Sequence, residues 1–246
     1  MRRFADLHLR PSIEDRDQVE RMISKSSELG YQMIAISLPP NITQTKISRL
    51  QEICSDVNLD LVTRVDFSPK TSKELLHYLR RLRRRFEIIS VFCDSKSVAR
   101  QAAKDRRVDL LTFPATKIYK RFFDHAEAEL ASNALSALEI EMAPLIFLRG
   151  SPRIRLISRL RKESAVAEKV GVPVVLSSGA TDEYLMRGPR EYAALAGLFD
   201  MDSRVALRTL SEIPHSLVAR NRGKLSPGYV APGIRVVREG DCCRRA

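Results

Sequence analysis

Short apolar stretches alternate with amphipathic stretches of helical period from Phe4 to beyond Leu176, and this alternation restricts the possible folds more than any other feature. Residues 4–10 read as a strand, with Ala5, Leu7 and Leu9 on one side and Phe4, Asp6, His8 and Arg10 on the other. Pro11 stops it. Ser12 and Asp15 then supply an N-cap with a variant of the capping box, and Val19, Met22, Ile23 and Leu29 recur at helical spacing before Gly30. The same unit repeats, with strands expected over 32–38, 59–67, 88–93 and 108–113, within 138–148, and over 172–176. Helical stripes separate them: Ile47, Leu50, Cys54 and Val57; Leu75, Leu79, Leu82 and Phe86; Val98, Ala99, Ala102 and Ala103. Further helices are expected over about 127–134, 154–169, 189–199 and 202–221.

Strands that alternate with helices pair in parallel, because each crossover returns the chain to the same end of the sheet. About seven or eight such units in one domain predict an α/β chain folded as a TIM-like barrel. No eighth unit follows Asn221, so the last unit is incomplete and an open doubly wound sheet is the alternative. The expected organisation is a barrel domain over 1–222 and a basic tail over 223–246. The tail's Gly and Pro content leaves little apolar surface to bury.

Charge bounds the partner. Lys and Arg number 42 against 30 Asp and Glu, a net charge of +12, which suits a polyanion. Arg80, Arg81, Arg83, Arg84 and Arg85 crowd one helix end, and Arg149, Arg153, Arg155, Arg159, Arg161 and Lys162 form a second cluster. Like charges this close repel unless something anionic screens them. A structured RNA fits better than duplex DNA, since no recognition-helix or zinc-finger pattern occurs. The longest apolar run, 142–148, is too short to span a bilayer, and the cysteine spacing indicates neither a zinc site nor a secreted disulfide framework, so a cytoplasmic protein is expected.

Ligands of such barrels meet the C-terminal strand ends. Here those ends carry His8, Arg10, Ser37, Lys46, Arg64, Asp66, Lys70, Asp94, Lys117, Glu141 and the Ser177-Ser178-Gly179 turn. The stretch from Val172 to Ala180, followed by Arg187-Gly188-Pro189-Arg190, reads as a strand, a small-residue turn and a helix opening on proline beside two arginines. That pattern suits phosphate, although it also suits a mere tight connection. Asp6 and His8 are a reduced metal-ligand pair or an internal hydrogen bond, and Glu139 and Glu141 share one strand face as a candidate acid and base. No nucleophile elbow, Walker motif or dinucleotide fingerprint occurs.

Several strings together resemble a known family: Asp6-Leu7-His8-Leu9-Arg10-Pro11, Thr63-Arg64-Val65-Asp66, the run from Ala102 to Asp109, Ser177-Ser178-Gly179-Ala180, Arg187-Gly188-Pro189-Arg190-Glu191, and Ile213-Pro214 through Asn221-Arg222. They resemble the ribonuclease P protein component 3 family of archaea, related to a eukaryotic ribonuclease P subunit. The resemblance spans about residues 4–222. It implies a distorted TIM-like barrel in the ribonucleoprotein endoribonuclease that removes the 5′ leader from precursor tRNA. It further implies that the RNA performs the magnesium-dependent chemistry, and that this chain binds no cofactor and has no catalytic residue. The implied partners are ribonuclease P RNA, precursor tRNA and other protein subunits, with a two-plus-two assembly around a smaller one. On this reading the RNA-binding residues are Arg10, Lys46, Arg64, Lys70, Arg84, Lys117, Arg153, Arg155, Ser177, Ser178, Arg187 and Arg190. The barrel is also reminiscent of polymerase and histidinol phosphatase type phosphoesterases, whose first strand carries His-x-His. His8 matches the first histidine and Arg10 replaces the second. A metal-dependent phosphoesterase is therefore the alternative function, with a sugar-phosphate enzyme using the Ser-Ser-Gly turn as a third.

Overall fold

The computed structural model describes residues 2–231 and 234–236. Seven strands pair in parallel in chain order: β1 (Ala5–Leu9), β2 (Met33–Ser37), β3 (Asp60–Phe67), β4 (Ile88–Phe92), β5 (Leu110–Thr112), β6 (Ala137–Glu141) and β7 (Val174–Ser177). The helices between them are α1 (Arg16–Glu28), α2 (Gln44–Asp56), α3 (Ser72–Leu82), α4 (Lys96–Ala103), α5 (His125–Ala134), α6 (Ala143–Phe147) and α7 (Gly150–Val170). After β7 come α8 (Pro189–Ala196), α9 (Ser203–Thr209) and α10 (Glu212–Leu225).

Period-two alternation divides the apolar residues into two layers. Ala5, Leu7, Met33, Ala35, Val62, Ile88, Leu110, Ala137 and Val175 fill the lower barrel, whereas Ile34, Ile36, Leu61, Ile89, Leu111, Leu138 and Leu176 face the helices. Closure uses two different devices. Near their C-terminal ends β1 and β7 meet directly: Gly179 N–H donates to His8 O at 3.0 Å, and Arg10 N–H to Ala180 O at 2.8 Å. At the other end Ala5 N–H donates to Leu210 O at 2.8 Å, so the α9–α10 junction lies where an eighth strand would pair. Leu217 and Val218 of α10 join the inner layer and plug the N-terminal mouth. Arg222 clamps Asp60 through two 2.8 Å hydrogen bonds, and the Asn221 side-chain amide donates to Glu87 O, tying α10 to the starts of β3 and β4.

The structure departs from the sequence reading at several points. The N-cap of α1 is Asp15, accepting from Gln18 N–H, while Ser12 N–H donates to the Gln18 side chain. The strand expected within 138–148 is confined to its start, as β6, and the apolar run after it forms the short helix α6, with Pro144 in its first turn. The helix expected over 202–221 breaks at Leu210–Ser211, where α10 restarts with Pro214 in its first turn, a position that needs no N–H donor. That helix also runs past the expected boundary at 222, to Leu225, and a small antiparallel pair follows: β8 (Tyr229–Ala231) and β9 (Ile234–Arg235). Residues 237–246 of the expected tail lie outside the described residues.

Candidate functional site

Strand β1 does not keep strict alternation. Asp6 pairs with Ile34 and Leu9 with Ile36, so two residues, Leu7 and His8, stand opposite Ala35. This bulge turns both inward. It leaves Asp6 on the outer side, where its carboxylate accepts from the N–H groups of Ser178 (2.9 Å) and His8 (3.1 Å). The expectation that Asp6 and His8 lie on the same side of the strand is thus corrected.

Above the apolar layer the barrel is filled by charge. Arg64 has no exposed surface. Its guanidinium makes a two-pronged contact with Glu139 (2.5 and 2.6 Å) and further bonds to Asp66 (2.7 Å), Ser90 Oγ (3.0 Å) and Leu7 O (2.6 Å). Ser177 Oγ and Thr112 Oγ1 donate to the same Glu139 carboxylate at 2.8 and 2.6 Å. His8, also fully buried, lies 3.3–3.5 Å from Asp66, Glu139 and Glu141. Arg10 reaches down from the rim to Glu141 (3.7 Å) and Gly179 O (3.1 Å). Burial alone would raise the Asp66 and Glu139 carboxyls, but the adjoining Arg64 holds both below the usual carboxylate range. Glu141 and Asp6 are raised, because burial there outweighs the partners.

Arg64, His8, Asp66, Glu139 and Glu141 thus form one largely buried ion network. Glu139 and Glu141, the candidate acid and base, are met by Arg64 on Glu139 and by His8 beside both. Among the described residues no group of three or more His, Cys, Asp or Glu side chains is placed to hold a metal ion, and the cation between the carboxylates is Arg64. The residues present do not fit the metal centre of a phosphoesterase.

Three expected RNA contacts are corrected by burial. Arg64, Ser177 and Ser178 have no surface to offer a ligand. The Ser-Ser-Gly turn is the closure clamp: Ser178 Oγ donates to His8 O at 2.9 Å, and the N–H groups of Ser178, Gly179 and Ala180 all donate to acceptors within the protein. Gly179 is required there, with φ +62° and Glu141 Cβ 3.0 Å from where its own Cβ would lie. Gly179→Ala is therefore expected to cost about 1–3 kcal/mol, read as a lower urea midpoint at unchanged slope.

The remaining expected residues fall in different places. Arg10, Lys46, Lys70, Lys117, Arg153 and Arg155 all belong to segments that follow strands, and so ring the C-terminal end of the barrel. Lys46 is paired with Glu14 at 2.7 Å, and the guanidinium of Arg187 donates to its neighbours' carbonyls, Tyr184 O and Met186 O. Arg84 precedes β4 and sits at the opposite end. Arg190 flanks a groove of about 610 Å³ with Arg2, Phe4 and Leu29, also away from the rim. The two arginine clusters thus lie at opposite ends of the barrel, a separation already implicit in one preceding a strand and the other following one.

Both clusters are partly structural. Arg83 pairs with Asp109, Arg159 with Glu163 and Arg161 with Asp200. Arg149, Arg153, Arg155 and Lys117 have no acidic partner within 4 Å among the described residues. Three of these surround the start of α7, whose N-cap Arg149 makes no side-chain cap and whose first turn holds no acid. Cations at a helix N-terminus oppose its dipole, so folding gives no account of them. At the end of α3, by contrast, Arg80 and Arg81 complement the dipole.

The family profile described as RNase P subunit p30 matches residues 3–226, the whole barrel and its α10 plug. The chain belongs to the RNase P subunit p30 family. Among members, ribonuclease P protein component 3 of Methanosarcina mazei is 30% identical over 238 residues, covering 97% of each chain. The component 3 of Methanosarcina barkeri is 28% identical over 240 residues, covering 97% of this chain and 98% of its own. A chain in the cryo-EM structure of archaeal ribonuclease P with mature tRNA superposes with a TM-score of 0.82 at 22% identity, covering 96% of this chain and 98% of that one. A putative prolidase from Bifidobacterium longum shares the barrel at a TM-score of 0.60 and 10% identity, a likeness of fold alone. The sequence signal missed was the pairing of Arg64 with Glu139, each on an inward position of its own strand.

Proposed function

We propose that the chain is an RNA-binding protein subunit of ribonuclease P, acting in removal of the 5′ leader from precursor tRNA. The family match across residues 3–226 carries this reading. The rim supports it physically: Arg149, Arg153, Arg155 and Lys117 supply phosphate-binding charge that no acid within the described residues neutralises. The interior supports a non-catalytic role, since Asp66 and Glu139 are paired with Arg64, and Glu141 with His8 and Arg10. Chemistry belongs to the RNA and the magnesium it binds, and this chain contributes affinity and shape. Its partners are the ribonuclease P RNA, the precursor tRNA held by the holoenzyme, and other protein subunits, the smaller one in a two-plus-two assembly. No helix among the described residues is long and apolar enough to cross a membrane. On the ribonuclease P reading, the place of action is the cytoplasm.

Titrating the full chain against a ribonuclease P RNA at increasing monovalent salt tests the binding role. Each phosphate neutralised adds about 0.7–0.9 to the slope of log K against log salt, so four rim cations predict a slope of about −3 or steeper. A flat dependence would contradict phosphate binding.

A further inference from the structure

The rim carries exposed rings as well as charge. Tyr119, in the segment between β5 and α5, is 76% exposed; Phe147, at the end of α6, is 50% exposed; Tyr184, between β7 and α8, is 79% exposed. Ile154, in the first turns of α7, adds a 67% exposed aliphatic side chain. These residues follow three consecutive strands, β5, β6 and β7, so their segments are neighbours at one end of the barrel. The 3₁₀ turn Ile118–Lys120 packs on α7, and the 3₁₀ turn Glu183–Leu185 packs on α6, which joins them into one arc. Isolated exposed apolar side chains are ordinary, but three rings along one arc of one face are not.

We propose that this arc is a stacking platform for unpaired RNA bases, with Tyr119, Phe147 and Tyr184 offering ring faces while Arg149 and Arg155 hold the intervening phosphates. It rests on the reading that the chain binds RNA. The charge pattern selects the occupant: from Met142 to Lys162 there is no acidic residue, Arg149, Arg153 and Arg155 in that run have no acidic partner among the described residues, and Glu183, beside Tyr184, is itself paired with Arg21. A protein partner would have to bring acids and apolar surface together, whereas each nucleotide supplies a phosphate and a π-face in one unit. Unpaired nucleotides fit and duplex does not, because a helix hides its base faces within the stack.

The chain has six tyrosines and no tryptophan, so tyrosine emission reports base stacking directly. The full chain is titrated with a short single-stranded oligoribonucleotide of mixed sequence and with the corresponding duplex. Single-stranded RNA should quench the emission, and Tyr119→Phe with Tyr184→Phe should keep the affinity while losing most of the quench. The triple variant Tyr119→Ala, Phe147→Ala, Tyr184→Ala should bind the single strand about a hundredfold or more weaker, at an unchanged salt slope and with duplex binding little altered. Arg149→Ala with Arg155→Ala should instead flatten the slope by about 1.5. Thermal unfolding checks that the variants remain folded, and the three single substitutions replace the triple if it does not. A triple variant that binds the single strand like the parent overturns the platform; if the arginine variant still flattens the slope, RNA binding itself survives. Unchanged RNA binding with lost association to the smaller protein subunit would assign the arc to a protein and also overturn the proposal.

Discussion

Arg64→Ala is expected to lower folding stability by about 3–5 kcal/mol, the cost of removing one partner from a buried ion pair. The substitution strands Glu139, which has no exposed surface, and leaves Asp66 with only His8 beside it. It also frees Ser90 Oγ and Leu7 O from their donor. Chemical denaturation measures the loss, and at that magnitude a domain of marginal stability approaches complete unfolding. Arg64→Lys should fall short of rescue, since a single ammonium cannot meet both Glu139 oxygens and Asp66 together. The same network sets an acid response. Asp66 and Glu139 are held below their unfolded values, so their contribution is present above the ordinary carboxylate range and is lost as pH falls through their depressed values. Glu141 and Asp6 run the other way: raised by burial, they weaken the fold at neutral pH, and that penalty disappears on acidification. In Arg64→Ala the first contribution is gone, so the variant should lose less stability than the parent between neutral and acid pH.

Replacing Arg149, Arg153 and Arg155 together with Ala should weaken binding to ribonuclease P RNA by about a hundredfold at physiological salt and reduce the salt slope by about 2–3. Folding should be little affected, because none of the three has an acidic partner among the described residues. They stand at a helix N-terminus, where their charge opposes the dipole, so the variant should gain about a few tenths of a kcal/mol in stability. The matched substitution of Arg80, Arg81 and Arg84 is the internal control for location. Those residues lie at the other end of the barrel and complement the end of α3, so their removal should cost helix stability and change RNA affinity less. A larger affinity loss from this second set would move the RNA to the opposite mouth.

The β/α alternation made the barrel legible, and the missing eighth unit after Asn221 was equally visible. How the barrel closes without that unit was not visible, because helical periodicity in α9 and α10 does not say that their junction pairs with Ala5 or that Leu217 and Val218 plug the mouth. The site was legible in part. Arg10, Lys117, Arg153 and Arg155 are at the rim where strand order places them, but Arg64 was not distinguishable from them by sequence. An arginine near a strand's C-terminal end reads the same whether it turns into the barrel or over its edge, and only the Glu139 across the barrel decides. His8 and Asp6 are hidden for a different reason: strict alternation puts them on one side, whereas the β1 bulge turns Leu7 and His8 the same way. The Ser-Ser-Gly turn was read as an anion cradle because free and internally bonded N–H groups leave the same residues in sequence. Here the N–H groups close the barrel.

Reconstitution tests the central claim most directly. A ribonuclease P RNA and the other protein subunits are assembled with and without this chain, and 5′ leader removal from precursor tRNA is followed at limiting magnesium. The account predicts cleavage that is stimulated strongly by the chain, preserved by Asp6→Asn, and reduced by the Arg149, Arg153 and Arg155 variant in step with its RNA affinity. Cleavage that gains nothing from the chain, with every partner subunit present, would contradict it.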